Sequence, residues 1–131
     1  MEAFFGSWKL IQNEDYDKFL RATGADEEVI SISNVLRPVV TISRDDDVVV
    51  VKLQSAIGTE EFSFRLGKQF YHQKRDGRYC NVVIDLEENQ LIQVEKWDGN
   101  EATSIAEVKD GKLIKSVKFK DVTAVQTFTK V

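Results

Sequence analysis

Residues 91–119, LIQVEKWDGNEATSIAEVKDGKLIKSVKF, decide the fold. Apolar and polar residues alternate with period two on both sides of Asp98-Gly99 and again on both sides of Asp110-Gly111. Aspartate followed by glycine tolerates the positive φ angles of a tight hairpin turn, so the stretch reads as three antiparallel strands joined by two hairpins. The same signal lies upstream at Asp76-Gly77, and further turns are legible at Asp45–Asp47, Ala56-Ile57-Gly58, Gly67, Glu87-Glu88-Asn89 and Lys120-Asp121. Together these punctuate residues 39–131 into nine short strands, and another strand, Phe5–Gln12, precedes them. A ten-strand antiparallel meander removes its exposed edges by closing on itself, so the expected architecture is an all-β closed barrel.

Between the first strand and the rest the period changes. Asp15 is positioned to cap a short helix over Tyr16–Thr23, with Tyr16, Phe19 and Leu20 on one face and Gly24 as its stop. Asp26 is positioned to cap a second helix carrying Val29, Ile32, Val35 and Leu36, which Arg37-Pro38 ends. A helix pair inserted between the first two strands of a barrel reads as a lid.

The chain has 131 residues, enough for one domain (1–131) with a substantial core. Its 18 basic and 22 acidic residues leave a net charge of −4, which argues against nucleic-acid binding through a basic face. A single cysteine, Cys80, excludes an internal disulfide, and one histidine beside it excludes the usual structural zinc sites. No apolar run approaches the roughly 20 residues of a membrane span. The start, Met1-Glu2-Ala3-Phe4-Phe5-Gly6, lacks the basic and apolar regions of a signal peptide. The chain therefore reads as a monomeric cytoplasmic protein with no cofactor and no metal.

Strand faces carry the functional clue. In Val122–Lys130 the even positions are the more apolar, which places Gln126 inside with Phe128. In Lys112–Phe119 the inward set is Leu113, Lys115, Val117 and Phe119. Phe62, Phe64 and Leu66 form another apolar face, and Phe70 begins one that includes His72. An unpaired buried polar group costs about 1–3 kcal/mol, so a lysine and a glutamine on inward faces fit a solvated cavity better than a solid core.

The opening Phe4-Phe5-Gly6-Ser7-Trp8-Lys9-Leu10 resembles the N-terminal signature of the intracellular lipid-binding proteins, the fatty-acid- and retinoid-binding carriers. The likeness runs on through Tyr16, the helix pair, Pro38, Gly67, Phe70, Arg78, Trp97-Asp98-Gly99 and Gly111-Lys112-Leu113. It implies a flattened ten-stranded barrel around a large cavity, with a portal made by residues 26–36 and the turns at Ser55–Gly58 and Lys74–Gly77. It also implies one fatty acid, retinoid or similar lipid as ligand, with transient contact to a membrane at delivery. The candidate contacts are then Gln126, Phe128, Lys115, Glu95, Gln93, Arg78, His72 and Ala106, with Tyr16, Leu20, Pro38, Ser55 and Ile57 toward the helices and portal.

The departures concern the head group. Where the family holds a carboxylate with two arginines and a tyrosine, this chain has Ala106 and Gln126-Thr127-Phe128. Glutamine and phenylalanine there resemble the retinol-binding branch and lean toward a neutral head, although Ala106 stands where that branch usually has a second glutamine. Lys115 is the substitute for a carboxylate reading, unless inward-facing Glu95 pairs with it and cancels both charges. An enzyme in the same barrel would have only His72 with Glu95 as an acid–base pair, and a barrel working purely by protein contacts would have a filled interior. Cys80, Trp8 and Trp97 read as packing residues, and Asp45–Asp47 as a solvated turn.

Overall fold

The computed structural model describes residues 1–131. A short 3₁₀ turn, Glu2–Phe4, leads into strand β1 (Gly6–Glu14), followed by helices α1 (Tyr16–Thr23) and α2 (Glu27–Val35). The remaining strands are β2 (Val39–Asp45), β3 (Val48–Ser55), β4 (Gly58–Phe64), β5 (Phe70–Gln73) and β6 (Tyr79–Glu87). After these come β7 (Gln90–Trp97), β8 (Asn100–Lys109), β9 (Lys112–Phe119) and β10 (Val122–Lys130). They form one antiparallel sheet in the order β4-β3-β2-β1-β10-β9-β8-β7-β6-β5. The hairpin meander and its helix pair are as the sequence predicts.

Closure is incomplete. β1 bonds to β10, but β4 and β5 are the two ends of the sheet and share no ladder. Side chains fill that seam. Phe70 stacks on Phe62 and Phe64, with ring centroids 6.1 and 5.5 Å apart, and His72 tilts against Phe62 at 4.3 Å.

Turn chemistry follows the sequence at two of the three Asp-Gly sites. Asp98 and Gly99 have φ of 46° and 78°, and Asp110 and Gly111 have 53° and 76°, the left-handed pair that a two-residue hairpin needs. Asp76-Gly77 differs. Here a wider loop is pinned by Lys74 N–H to the Arg78 carbonyl (2.8 Å) and Gly77 N–H to the Lys74 carbonyl (2.9 Å). The Asp76 side chain is turned into the protein.

The helix caps divide in the same way. Asp26 is extended (φ −78°, ψ 165°) and its carboxylate accepts from Val29 N–H at 2.9 Å, as predicted. Asp15 makes no cap bond. It enters α1 in the left-handed conformation, at φ 59°, where a side chain does not reach the first N–H groups, and its carboxylate meets Lys18 instead (3.3 Å). Gly24, at φ 93°, stops α1 as expected. α1 packs on β9 and β10 through buried Phe19 and Leu20, whereas α2 meets chiefly α1.

The core clusters Phe4, Trp8, Leu10, Phe19, Leu20, Val49, Phe64, Val82, Trp97, Val117, Phe119 and Phe128 around the barrel interior. Trp8 donates its indole N–H to the Phe4 carbonyl at 2.9 Å, and Trp97 packs on Phe119. Cys80 is fully buried and burial pushes its thiol up to about 11, so it is a packing residue.

Candidate functional site

Inward-facing side chains of the strands and the inner faces of both helices enclose a cavity of about 310 Å³. That lies at the lower end of the roughly 300–1,000 Å³ typical of small-molecule sites. Of its 34 lining residues 21 are hydrophobic, so an occupant would be held mostly by apolar contact. Of the candidate contacts, Gln126, Phe128, Lys115, Glu95, Gln93, Arg78, His72, Ala106, Tyr16, Leu20 and Pro38 line it. Ser55 and Ile57 do not. Ile57 is exposed on the β3–β4 turn, and Ser55 is drawn sideways to Arg75, whose Nη1 donates to its hydroxyl at 3.3 Å.

Two groups of polar side chains face the cavity. The first lies beneath α1. Asp76 takes a bidentate contact from Arg78, with Nε to its two oxygens at 3.0 and 2.9 Å and Nη2 at 2.7 Å. Glu95, 3 % exposed, lies 3.3 Å from Lys74 Nζ and 3.7 Å from Arg78 Nη1. The guanidinium also sits over the rings of Trp97 (4.4 Å) and Phe19 (5.7 Å). Burial opposes the charge on Arg78, but the Asp76 hydrogen bond and the field of Glu95 outweigh it and raise its pKa further. Burial, aided by Asp76 and Glu95, pushes the Tyr16 phenol up to about 12, so it stays a neutral donor.

The second group is a single row across four strands. Ala106 on β8 faces Lys115 on β9, and Lys115 faces Gln126 on β10. The row continues to Asn13 on β1, whose side-chain oxygen accepts from Gln126 Nε2 at 3.0 Å. Lys115 makes no ion pair. Of the two alternatives that the sequence leaves open for Lys115, pairing with Glu95 does not occur, for a geometric reason. Glu95 faces Ala102 on β8, whereas Lys115 faces Ala106. Four residues of strand separate these positions, roughly 13 Å at about 3.3 Å per residue. Burial and then the positive field of Lys74 lower the Lys115 ammonium to about 8, despite Glu95 pulling the other way.

The His72–Glu95 acid–base pair that an enzyme in this barrel would need does not form. His72 Nε2 lies 3.0 Å from Glu60 on the far side of the β4–β5 seam, and Arg75 Nε donates to the other Glu60 oxygen at 2.9 Å. Burial and Lys74 lower the His72 pKa, so the ring is neutral at pH 7. Burial opposes the Glu60 charge, but its hydrogen bonds to Arg75 and His72 hold its pKa below the ordinary carboxylate value.

Several site residues escape a reading of the sequence alone. Asp76 is disguised by its glycine neighbour as a turn residue. Asn13 lies inward because a bulge between Leu10 and Gln12 leaves both Ile11 and Gln12 exposed and shifts the face of β1 by one residue. Glu60 and Lys74 were accessible in principle. Glu60 shares the parity of Phe62 and Phe64, and Lys74 continues that of Phe70 and His72.

The model of the Lipocalin / cytosolic fatty-acid binding protein family matches residues 5–131. Fatty acid-binding protein 12 of Rattus norvegicus is 33% identical over 126 residues, which is 96% of each chain. Among solved structures, fatty-acid-binding protein 1 of Echinococcus granulosus superposes with a TM-score of 0.96 at 26% identity, covering 100% of this chain and 99% of that one. The fatty acid binding protein of Schistosoma mansoni, solved in complex with arachidonic acid, gives 0.95 at 26% identity over 100% and 98% of the two chains.

Proposed function

The chain belongs to the Lipocalin / cytosolic fatty-acid binding protein family, and on that footing we propose that it is a cytosolic carrier for one fatty acid held inside the barrel. The observation that carries this reading is the charge balance of the cavity. Lys74, Arg75, Arg78 and Lys115 face it against the carboxylates Glu60, Asp76 and Glu95, leaving one positive charge in excess. Lys115 is the member without an anion, and a fatty acid brings one carboxylate. The alkyl tail supplies most of the affinity, about 0.8 kcal/mol for each methylene removed from water. Ammonium and carboxylate then form a charge-assisted contact, a single point charge where relatives of this family use an arginine fork. Tyr16 lines the same cavity on the side of Asp76 and Arg78, away from this contact.

Gln126 favours the anion less than Lys115 does. One N–H of its amide donates to Asn13, which leaves a ligand its oxygen and one further N–H, a neutral acceptor and donor that suit the hydroxyl of an alcohol better than a carboxylate. A neutral-head ligand is therefore the second reading. Comparing hexadecanoic acid with hexadecanol, in the natural protein and in Lys115→Met, separates the two. Loss of one charge-assisted bond, about 1.5–3 kcal/mol, corresponds to roughly ten- to hundredfold weaker acid binding with the alcohol unaffected. Equal affinity for both ligands in the natural protein overturns the carboxylate reading, and no saturable binding of either overturns the carrier.

The portal follows the same logic. Arg21 is paired with Glu27 (3.5 Å), and Arg37 donates to the carbonyls of Asn34 and Leu36. With Asp26, Glu27 and Glu28 beside them, the mouth has little free positive charge. Transfer to vesicles should depend weakly on anionic lipid content.

A further inference from the structure

The geometry points to a second use of Lys115: capturing long-chain aldehydes as a reversible imine on its Nζ. The inference rests on the cavity being a lipid site, and it goes beyond carriage of a fatty acid because a covalent bond forms.

Three features support it. Lys115 lines the cavity while making no ion pair, so no carboxylate must be displaced before its amine can react. Its row neighbour on one side is Ala106, a small side chain, and on the other Gln126, a neutral amide that donates one N–H to Asn13. Space therefore lies next to the amine on the Ala106 side. The surrounding wall, including Leu113, Val117 and Phe128, is apolar and accepts the aldehyde's tail. An amine held near 8 is also largely free at mildly alkaline pH. At pH 8 roughly half of such a lysine carries a lone pair, against roughly 0.3% of an exposed one.

The step balances without an added oxidant or reductant. The Nζ lone pair attacks the carbonyl carbon, forming the C–N bond while the carbonyl oxygen takes up the proton that nitrogen loses. The nitrogen lone pair then expels that hydroxyl, with a second proton from nitrogen, as water. One aldehyde and one amine thus give one imine and one water. A protonated imine keeps the positive charge in place, within the field of Glu95.

The test uses hexadecanal, a saturated aldehyde that cannot add to Cys80 by conjugate addition, with cyanoborohydride to trap the imine as a secondary amine. Intact-mass analysis and peptide mapping at pH 8 should find one adduct, on Lys115, at least about tenfold ahead of any exposed lysine, since its free-amine fraction is larger. Hexadecanoic acid should suppress it by occupying the same space, and Lys115→Met should abolish it while melting cooperatively. Labelling that follows exposure alone, or a Lys115 adduct indifferent to hexadecanoic acid, overturns the inference. Saturable uptake of a fluorescent fatty acid without the adduct overturns it too, and leaves the carrier reading intact. Absence of uptake overturns both.

Discussion

Two patches of the cavity wall carry buried charge, and they are built on opposite plans. Beneath α1, Asp76 and Glu95 neutralise Arg78 and Lys74 at distances of 2.7–3.7 Å. Across β8, β9 and β10, Lys115 stands between an alanine and a committed glutamine with no anion. Internal pairing makes the first patch a fixture of the folded state. The second has no ion pair of its own. On the proposed reading, charge paired within the protein is structural, even where Arg78 Nη1 and Glu95 Oε2 make no hydrogen bond, and the unpaired charge of Lys115 receives a ligand's head.

The largest expected effect is on the paired patch. Glu95→Ala leaves Lys74 without its ion-pair partner, while Arg78 keeps Asp76, and should lower unfolding free energy by about 3 kcal/mol in urea titration. If it is instead neutral, the pairing does not hold that patch together. On the open patch the sign reverses. Lys115→Met removes a desolvated charge and should raise stability by about 1 kcal/mol by the same measurement, since apolar replacement of a buried ion is often stabilising.

The pH dependence sharpens the contrast. Lys115 sits at about 8 when folded against an ordinary 10.5, so the unfolded chain binds more protons between those values. Stability should rise with pH across that window, and the rise should vanish in Lys115→Met. Affinity for a fatty acid should run the other way, constant below about pH 8 and falling above it as the ammonium is lost.

The smallest effect concerns the seam. β1 and β10 are joined by backbone, whereas β4 and β5 meet only through stacked rings and the Glu60–His72–Arg75 contacts. His72 has a pKa below the ordinary 6.5, so its contribution is present at higher pH and is lost as pH falls through that region. Melting curves from pH 7.5 to 5 should show a modest decline that His72→Gln reduces.

Particular residues explain what was legible in the sequence. Period-two alternation places Lys115 and Gln126 inside because each strand's faces are fixed locally. Which charges meet is another matter, because it depends on register between strands that are distant in the chain. Glu95 and Lys115 both point inward, yet the pairing of β7, β8 and β9 holds them four positions apart. The His72–Glu60 contact crosses a seam with no ladder at all, so no strand register could have foretold it. The bulge at Ile11 and the left-handed entry at Asp15 are backbone choices made by packing, and composition carries no trace of them.

The protonation of Lys115 tests the open-patch idea most directly. Its side-chain NMR signals, titrated from pH 6 to 11 without ligand and with hexadecanoic acid or hexadecanol, report the ammonium itself. The expected result is a midpoint near 8 in the empty protein, moved upward by the acid and not by the alcohol. A midpoint near 10.5 without ligand, or one that the acid leaves unmoved, would contradict a head-group site at Lys115.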